Sequence, residues 1–599
     1  MGRAKRKAGK HLSQRELVVR IQKFFEENPE KIFSMKDIFR MLKFNTHPLK
    51  MLTIDILDEM SLDGYLRRIA DNKFQLSDEQ REILRLRIEA KKQQKFGVMG
   101  IKKDDDTVMH AILEEYGLPY DYPKAVEEAA EEIDATITAK DYAEREDFRH
   151  VLTFTIDPKD AKDFDDALSI RRLSDTTYEV GVHIADVSHY VKEGSIIDRE
   201  AQKRATSVYL VDRTIPMLPE RLCNFICSLR PDEEKLAYSV IFNINEEGEV
   251  LSWRLVHTVI KSNRRFTYDE VLEILQGQDG DYAEELRILN AIAKKICQKR
   301  YANGAIRFES QELHFDVDET GKPVGVYYKE ANDATKLIEE FMLLANRTVA
   351  ESIGKVKRGQ HKKTLPYRIH DNPDFDKLEN LRQFIVRFGY KLKTAGTKGQ
   401  VARSLNTLMD ECSGKREQKL IEMVALRAMM KAKYSVHNIG HFGLAFDYYT
   451  HFTSPIRRYP DTMVHRLLTA YQHGAKSADA EYYETLCEHS SEMEVIATQA
   501  ERASTKYKEV EFLSGKIGQE FDAHISGITE WGIYCEIDEN HCEGMVSMRE
   551  LDDDYYEFDE KNYCLRGRRY RNIYALGDPI KIIIQRANLE KRQIDFTLA

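Results

Sequence analysis

The sequence predicts a multidomain α+β fold: an N-terminal winged helix, a central domain of strands followed mostly by helices, and a C-terminal five-stranded OB barrel. A chain of 599 residues is longer than one hydrophobic core usually serves, so about two to four domains are expected. The chain is 42% hydrophobic and 32% charged, which is typical of a globular protein. The spacing of apolar residues changes along the chain from helical to alternating, and these changes mark the predicted domains.

The winged helix is predicted at residues 14–76, after a basic arm at residues 1–13. Helical apolar spacing in "QRELVVRIQKFFEENPE" indicates a first helix. Ser34 is placed to cap a second helix, because Asp37 follows three residues later as in a capping box. A third helix ends at Gly64, and "YLRRIADNKFQL" then predicts two short strands.

Three further regions follow the winged helix. Residues 77–145 are predicted to be a charged helical linker and a lead-in of helix and turn. The central domain, residues 146–510, opens with alternating strands and becomes mostly helical from about Tyr268. Residues 511–599 return to short alternating strands with Gly and Asp at the turns, which is the pattern of a small five-stranded OB barrel.

Charge and composition exclude several classes of protein. The formal net charge of −10 argues against a protein that coats nucleic acid non-specifically, although a local basic channel remains compatible with it. Neither an apolar run of membrane length nor a secretory signal is found, so we expect a cytoplasmic protein without a membrane partner. Eight scattered cysteines without a CxxC pair indicate buried thiols more than a metal or disulfide framework.

One short segment concentrates negative charge. The stretch "TIDPKDAKDFDDALSI" contains Asp157, Asp160, Asp163, Asp165 and Asp166 but only two lysines. Carboxylates that lie close together must take up protons unless a cation lies among them. Mg²⁺ prefers oxygen ligands and is commonly held by a few carboxylates together with substrate phosphates. The segment therefore predicts a metal site between two strand ends.

This segment has two other interpretations. An EF-hand calcium loop is excluded, because it would need Gly at the sixth position, Glu at the twelfth and flanking helices. A solvated acidic loop stays open, although interleaved Ile156, Phe164 and Leu168 favour burial. The sequence contains neither a GxxxxGK[ST] phosphate loop nor HExxH, so an ATP-driven motor and a zincin are disfavoured. Phosphodiester hydrolysis by metal-activated water fits what remains.

A set of long motifs then resembles a known family, the ribonuclease II and ribonuclease R (RNB) exoribonucleases, and most closely its bacterial ribonuclease R members. The likeness runs in consistent order from about Asp105 to the C-terminus. Besides the aspartate segment, it rests on "VGVHIADVSHYV", "RATSVYLVDRTIPMLPERLCNFICSLRP", "GAIRFES", "NDATKLIEEFMLLAN", "YRIHDNP" and "GHFGLAFDYYTHFTSPIRRYPDTMVHR". The barrel segments "ITEWGIYCEI", "EGMVSMREL", "YALGDPIKI" and "NLEKRQIDFTL" resemble an S1-type RNA-binding domain.

The resemblance implies a hydrolytic 3′-to-5′ exoribonuclease with an RNB catalytic domain. Such an enzyme degrades single-stranded RNA with a free 3′ end to nucleoside 5′-monophosphates. It would act as a monomer and use Mg²⁺, with Mn²⁺ as the alternative metal. The alternative function is a catalytically silent RNA-binding regulator of the same architecture. A third interpretation, a winged-helix DNA-binding repressor, would leave the central domain unexplained.

The resemblance also implies the catalytic residues. Asp157 and Asp166 match direct metal ligands, Asp163 matches a supporting acid, and Asp165 matches the residue whose loss harms chemistry most. The predicted catalytic set is Asp157, Asp163, Asp165, Asp166, Arg457 and Glu501, and its four aspartates are the predicted metal residues. Arg457 would hold phosphate through its guanidinium fork, with an ordinary ion pair to Asp461 as the alternative. Glu501 would assist product release or phosphate positioning.

Six further residues are predicted to bind RNA. They are Tyr209, Phe308, Tyr268, Glu340, Trp531 and Tyr534. Tyr209 and Phe308 match an aromatic pair that clamps the terminal nucleotides by stacking. Tyr268 and Glu340 would read the ribose 2′-OH, with Glu339 as the alternative reader. Trp531 and Tyr534 would stack on bases, with a place in the barrel core as the alternative.

The sequence departs from the family pattern in two places. Ribonuclease R normally carries two cold-shock domains before the catalytic domain, whereas "KKQQKFGVMGIKKDDDTVMHAILEEYGLP" leads almost directly into it. The chain also ends at "IDFTLA" without the Lys-rich tail common in the family. Both differences remove surface that grips RNA, so processivity, the minimum overhang and duplex unwinding stay open.

Overall fold

The computed structural model describes residues 14–26, 28–44, 46–70, 72–82, 105–307, 312–318, 321–329, 331–356, 361–415, 417–559 and 564–599. The chain divides into two compact units, Met1–Asp104 and Asp105–Ala599. The predicted basic arm and most of the predicted charged helix after residue 77 lie outside the described residues.

The first unit is a small helical domain with a three-stranded sheet of order β1-β3-β2. Its elements are α1 (Gln14–Glu26), β1 (Phe33–Ser34), α2 (Met35–Met41), α3 (His47–Leu62), β2 (Leu66–Ala70) and β3 (Lys73–Leu76). The predicted capping box is present, because Ser34 Oγ accepts a hydrogen bond from Asp37 N and Asp37 Oδ2 accepts one from Ser34 N. Leu17, Ile21 and Phe74 are fully buried in its core.

The second unit is organised by a seven-stranded mixed sheet of order β12-β5-β6-β7-β10-β11-β4. These strands are β4 (Glu146–Asp147), β5 (Thr153–Asp157), β6 (Asp166–Arg172), β7 (Thr177–Ala185), β10 (Glu234–Asn245), β11 (Val250–Lys261) and β12 (Arg264–Thr267). The inner pairs are antiparallel, while β12 beside β5 and β4 beside β11 are parallel. β8 (Val208–Tyr209) and β9 (Thr214–Ile215) form a separate hairpin.

Helices cover both faces of this sheet, so its strands carry nearly continuous apolar runs. One face packs on α9 (Tyr268–Leu275), α10 (Ala283–Ala302) and α11 (Asp333–Gly354). The other face packs on α5 (Lys124–Glu131), α8 (Ile196–Arg204), a π-helical segment (Arg221–Ile226), α15 (Tyr459–Gln472) and the start of α16 (Ala480–Ser514).

The remaining elements up to α16 are α4 (Asp105–Glu115), α6 (Ala139–Glu144), α7 (Val187–Tyr190), β13 (Glu312–Val317), β14 (Pro323–Lys329), β15 (Tyr367–Ile369), α12 (Phe375–Ile385), α13 (Lys398–Cys412), α14 (Gln418–Ala428) and β16 (Lys433–Ser435).

The region predicted as a lead-in belongs to the second unit. Met109 and Leu113 of α4 are buried against Ala500 of α16 and Val208 of β8. The predicted domain boundary at residue 145 therefore does not coincide with a break in packing.

A closed five-stranded barrel of order β17-β18-β19-β24-β23 forms the C-terminal part. Its strands are β17 (Glu520–Thr529), β18 (Gly532–Ile537), β19 (Glu543–Ser547), β23 (Pro579–Asn588) and β24 (Gln593–Leu598), with a three-stranded sheet of β20 (Tyr556–Asp559), β21 (Cys564–Gly567) and β22 (Ile573–Ala575) beside it. Gly532 has a φ of 153°, and a Cβ there would lie 2.2 Å from the carbonyl oxygen of Val546, so only glycine permits this close strand approach. The barrel core is continuous with α12 to α14.

The fold also shows the state of the cysteine side chains and whether any described helix could span a membrane. Every cysteine is free, and all are buried except the half-buried Cys297, as predicted for buried thiols. Within the described ranges, no helix combines the length and the apolar character needed to cross a lipid bilayer.

Candidate active site

The aspartate segment joins two neighbouring strands of the large sheet. β5 ends at Asp157 and β6 begins at Asp166, so both carboxylates are fixed to strand ends. In the turn between them, Phe164 is buried and its backbone N–H donates to Ser228 Oγ at 2.9 Å. Asp165 is only 5% exposed, so this segment is not a solvated surface loop. Asp160 is the exposed member of the group, and it is also the one without a role in the predicted site.

Burial and mutual repulsion disfavour ionisation of the two strand-end carboxyls. Burial raises the pKa of Asp157 first, and the neighbouring charge of Asp166 raises it further. Burial also raises the pKa of Asp166, against the opposing effect of Arg457. Such a coupled pair holds protons that a cation would displace. One oxygen of Asp157, Oδ2, is buried and has no hydrogen-bond partner among the described residues.

Asp165 is held differently, by the loop that carries Arg457. Its Oδ1 accepts a hydrogen bond from Ile456 N at 2.9 Å, and its Oδ2 lies 3.5 Å from Arg457 Nε. Burial raises the pKa of Asp165, while Arg457 and the amide of Ile456 oppose this shift. Burial likewise raises the pKa of Asp163. One oxygen of Asp165 therefore accepts a hydrogen bond and the other is ion-paired, whereas Oδ2 of Asp157 has no such partner among the described residues.

The arginine loop has its own internal support. Arg458 donates to both oxygens of the buried Asp461 at 2.8 and 2.9 Å, and Asp461 also accepts from Ser454 N at 2.8 Å. The alternative in which Arg457 pairs with Asp461 is thus wrong, because the neighbouring Arg458 occupies that carboxylate. The side chain of Arg457 keeps 42% of its surface exposed, so its guanidinium stays accessible to a phosphate.

The residues fit a divalent ion that is completed by substrate. No group of three or more His, Cys, Asp or Glu side chains within the described ranges is arranged to hold a metal alone. Asp157 and Asp166 nevertheless supply two carboxylates from adjacent strand ends, and Asp157 keeps an unpartnered oxygen. Mg²⁺ is typically bound by one or two carboxylates together with water and phosphate oxygens. The donor set therefore suits a shared metal more than a closed protein cage.

Tyr209 and Glu501 lie beside the arginine loop. Tyr209 N donates to Glu501 Oε1 at 2.9 Å, which ties the short strand β8 to α16. The same segment joins the arginine loop, because Ser207 N donates to Arg457 O at 3.0 Å. Tyr209 is 41% exposed, so its ring face is accessible. Phe308, the predicted partner of Tyr209, lies outside the described residues.

The two predicted readers of the ribose differ in their surroundings. Tyr268 begins α9, and burial followed by the charges of Asp166 and Asp157 raises the pKa of its hydroxyl. Glu340 is only 2% exposed and is ion-paired with Arg300, whose Nε lies 3.2 Å from Glu340 Oε1. This burial argues against direct contact between Glu340 and RNA. The side chain of Glu339 is 52% exposed and remains the accessible alternative.

The barrel presents its two predicted stacking residues unequally. Trp531 lies in the β17–β18 turn and is 69% exposed, which excludes a place in the barrel core. Tyr534 on β18 is half-buried beside Gly527. Only Trp531 therefore offers an open ring face.

Sequence reasoning missed the residues that hold the site together. Arg265 of β12 donates to the carbonyl oxygen of Lys159 at 2.9 Å and so fixes the acidic turn. The pairing of Arg458 with Asp461 was also missed, although an Arg and an Asp three residues apart in "RRYPD" were a signal for it. No comparable signal exists for Arg265, because its contact joins distant parts of the chain.

Comparisons with known proteins agree with this geometry. The family model described as the RNB domain matches residues 145–474. Ribonuclease R of Aquifex aeolicus is 38% identical over 511 residues, which cover 84% of this chain and 71% of that protein. The solved structure of Mycoplasma genitalium RNase R in complex with ribose-methylated single-stranded RNA is 27% identical, with a TM-score of 0.77 over 84% of this chain and 79% of that one.

A mixed sheet with clustered aspartates at its strand ends and an arginine held against them defines this protein as a nuclease. The chain belongs to the RNB family, as a 3′-to-5′ exoribonuclease of the ribonuclease R type. Among the described residues, no cold-shock domain lies between the first unit and the matched region. RNB ribonucleases depend on a divalent metal, in agreement with the donor set at the ends of β5 and β6.

One structural neighbour is not a nuclease. Yeast Ssd1, described as a pseudonuclease, has a TM-score of 0.62 and is 22% identical over 78% of this chain and 58% of its own. At that identity the likeness concerns the fold alone.

Proposed function

We propose that this protein is a Mg²⁺-dependent hydrolase that shortens single-stranded RNA from a free 3′ end and releases nucleoside 5′-monophosphates. The main support is the arrangement of the site. Asp157 and Asp166 lie at adjacent strand ends, and Arg457 faces Asp165 of the same segment. A protein that only binds RNA gains nothing from concentrated negative charge beside phosphates. Those charges are useful only where metal ions and the scissile phosphate share the site.

Each residue has a separate task in this proposal. Asp157 and Asp166 would hold the metal, which when bound polarises the phosphate and acidifies a water molecule. Asp165 fixes the arginine loop through Ile456 N, so that Arg457 neutralises charge that develops on the phosphate. Asp163, half-buried beside them, supports the negative field.

Binding of the strand is assigned to aromatic faces and hydroxyl groups. Tyr209 would stack on a terminal base, with Phe308 as its partner, which suits an enzyme indifferent to base identity. Tyr268 would contact the ribose 2′-OH together with Glu339, or with Glu340 if RNA displaces Arg300. Glu501 would set the position of Tyr209 through the backbone N–H.

The flanking domains would guide RNA to this site. We assign the barrel to the S1 type, with Trp531 as its exposed stacking face and Tyr534 as a secondary one. Residues 14–76 are assigned as a winged helix on their three helices and small sheet. The assigned partner is RNA alone, with the protein acting as a cytoplasmic monomer.

The test uses a 5′-labelled single-stranded RNA and the matching DNA, each incubated with Mg²⁺, Mn²⁺ or EDTA. We expect metal-dependent release of 5′-monophosphates from RNA only, and loss of this release in an Asp165→Asn variant. Comparison of the degradation rates with Mn²⁺ and Mg²⁺ gives the metal preference. Substrates with single-stranded overhangs of graded length give the minimum overhang that the enzyme needs without cold-shock domains.

The silent-regulator alternative has a distinct outcome in the same experiment. Tight RNA binding without shortening in either metal, unchanged by Asp165→Asn, would overturn the proposed activity. Equal turnover of DNA would overturn the assigned reading of the ribose.

A further inference from the structure

A large cavity lies between α11, α10 and the β10–β11 hairpin. Its volume is about 800 Å³, within the range of roughly 300–1,000 Å³ that is usual for small-molecule sites. The opposite side of α11 packs Leu337, Phe341 and Ala345 against the strands, so the helix is a rigid floor. The walls come from α10, the β10–β11 turn and residues 444–447. Glu340, paired with Arg300, also lines the cavity.

Two cations of this cavity share one carboxylate. Arg347 Nε and Lys355 Nζ each lie 2.9 Å from an oxygen of Glu351, all on one face of α11 and its C-terminal end. Although burial opposes it, hydrogen bonds from Lys355 and Arg347 lower the pKa of Glu351, so this carboxylate is ionised. One negative charge between two positive ones leaves an excess of positive charge. Lys299, which lies 3.7 Å from Glu249, adds another cation to the lining, and Asp447 adds another carboxylate. Four cations and three carboxylates line the cavity, so one positive charge is in excess.

Flat aromatic faces lie beside these cations. The guanidinium of Arg347 lies 5.3 Å from the ring centroid of Phe446, and Trp253 lines the cavity on another side. The chain has only two tryptophans, and both are exposed, Trp253 by 43% and Trp531 by 69%. Tryptophan is highly buried on average, so an exposed ring that lines a cavity suggests a stacking partner.

Stacking faces and an excess of cations together match one class of ligand. A phosphate pairs with a guanidinium fork and an ammonium, and a nucleobase stacks on an aromatic ring. The protein has a net charge of −10, whereas the charged side chains that line this cavity sum to one positive charge, which favours an anion there over most of the surface.

We propose that this cavity binds one nucleotide unit, with its phosphate at Arg347 and Lys355 and its base on Trp253. The unit is either a released mononucleotide or one residue of the RNA strand. Only the choice between these sources rests on the proposed function, since the chemistry of the lining requires no turnover.

The two tryptophans allow a direct test by fluorescence. A Trp531→Phe variant leaves Trp253 as the only tryptophan, and it is titrated with adenosine 5′-monophosphate in EDTA. We expect saturable quenching, weaker binding of adenosine, and at least a tenfold loss of affinity when Arg347→Ala is added. Lys124→Ala is the matched control, because this exposed cation on α5 pairs with one glutamate in the same helix, and we expect it to leave the titration unchanged.

A second arm distinguishes the two sources of the nucleotide. A single-stranded RNA oligonucleotide replaces the mononucleotide, again in EDTA, and a Trp253→Phe variant reports Trp531 of the barrel separately. Quenching of Trp253 by the mononucleotide identifies the free product, and quenching by RNA alone identifies a strand contact. Far-UV circular dichroism of every variant checks that the chain is folded.

The outcomes separate this inference from the proposed exoribonuclease. No change in Trp253 fluorescence in either arm, or equal affinity in the Arg347→Ala variant, overturns the nucleotide cavity. RNA turnover by the unmodified protein is measured in parallel. RNA turnover without quenching overturns only the inference that the cavity binds a nucleotide. Quenching without RNA turnover overturns only the proposed exoribonuclease activity.

Discussion

At the strand ends of the large sheet, Asp165 is 5% exposed, and its two oxygens are held by a hydrogen bond and an ion pair, whereas Trp531 in a turn of the barrel is 69% exposed. The first side chain has its geometry fixed before RNA arrives, and the second keeps its ring free to meet any base. Groups that are already in place stabilise the charge that develops during catalysis. Binding of a strand of any sequence needs exposed aromatic rings on which bases can stack. Substitutions in the two regions should therefore differ in which kinetic constant they change.

A large effect on catalysis, second only to that of Asp165→Asn, is expected from Asp166→Asn. Losing one of the two carboxylates at the strand ends should lower kcat by on the order of 10³-fold, the scale on which a preorganised electrostatic contact acts, with little change in RNA affinity. Single-turnover kinetics and RNA binding in EDTA measure the two quantities separately. An Asp160→Asn variant is the control, because that aspartate is exposed. Loss of RNA binding in parallel with activity would show that the strand-end carboxylates also contribute to RNA binding.

A smaller loss is expected when the support of the arginine loop is removed. Asp461→Ala leaves Arg458 buried without a counter-charge, which costs about 3–5 kcal/mol of folding stability in comparable buried pairs. The displaced Arg457 should lower kcat by about 10²-fold. Thermal unfolding and steady-state kinetics test this, and Asp461→Asn, which keeps an acceptor, should recover part of both losses. Normal kcat in a destabilised Asp461→Ala protein would show that Asp461 acts on folding alone.

Metal affinity should depend on pH because the strand-end carboxyls bind protons. Burial raises the pKa of both Asp157 and Asp166, so metal must displace protons from this pair, and more of them as the pH falls. Apparent Mg²⁺ affinity should rise with pH by up to about tenfold for each unit and each proton displaced. Calorimetry in two buffers of different ionisation enthalpy measures the released protons. An affinity that does not vary with pH would contradict proton occupancy of this pair.

A moderate effect confined to binding is expected from Trp531→Ala. Stacking on an exposed aromatic ring contributes about 1–3 kcal/mol for each base, so KM should rise by about tenfold or more. The value of kcat on a long RNA should stay within about twofold, because the strand ends are untouched. Leu62→Ala, which changes an exposed apolar residue of the first unit, is the control. A fall in kcat with constant KM would remove the contrast between the two regions.

The smallest expected effect concerns stability in mild acid. Burial lowers the pKa of His183 to about 3, and its ring nitrogens lie 2.7 and 2.8 Å from the hydroxyls of Ser239 and Ser169. The unfolded chain binds a proton at this group below about pH 6.5 while the folded chain does not, so stability falls as pH drops from 6.5 toward 3. This single group should cost about 2 kcal/mol by pH 5. Urea unfolding of the native protein and of His183→Gln should show a shallower pH dependence in the variant.

The parts of the structure that could be predicted from the sequence are those formed by residues close together in the chain. The run from Asp157 to Asp166 placed a charged turn between two strands, and β5 and β6 flank it as expected. The capping box at Ser34 and Asp37 was also readable, because both partners lie within one turn. Contacts between distant segments were not readable. Nothing near Glu340 in the sequence shows that Arg300 would bury it, since that pair forms only when α10 packs on α11.

The roles of the adjacent Arg457 and Arg458 could not be told apart from the sequence for the same reason. Both arginines precede Asp461 closely enough to pair with it, and spacing alone could not separate them. The separation comes from Ile456 N, which binds Asp165 and so turns Arg457 toward the acidic turn. Long-range backbone contacts of this kind exist only in the folded chain.

The hydrogen bond between Ile456 and Asp165 joins residues 291 positions apart. During synthesis, the aspartates therefore leave the ribosome long before the arginine that completes their site. A chain interrupted between these points would carry the acidic turn without its phosphate-holding partner. The newly made enzyme is thus expected to remain inert toward the messenger that encodes it until most of the chain has been translated.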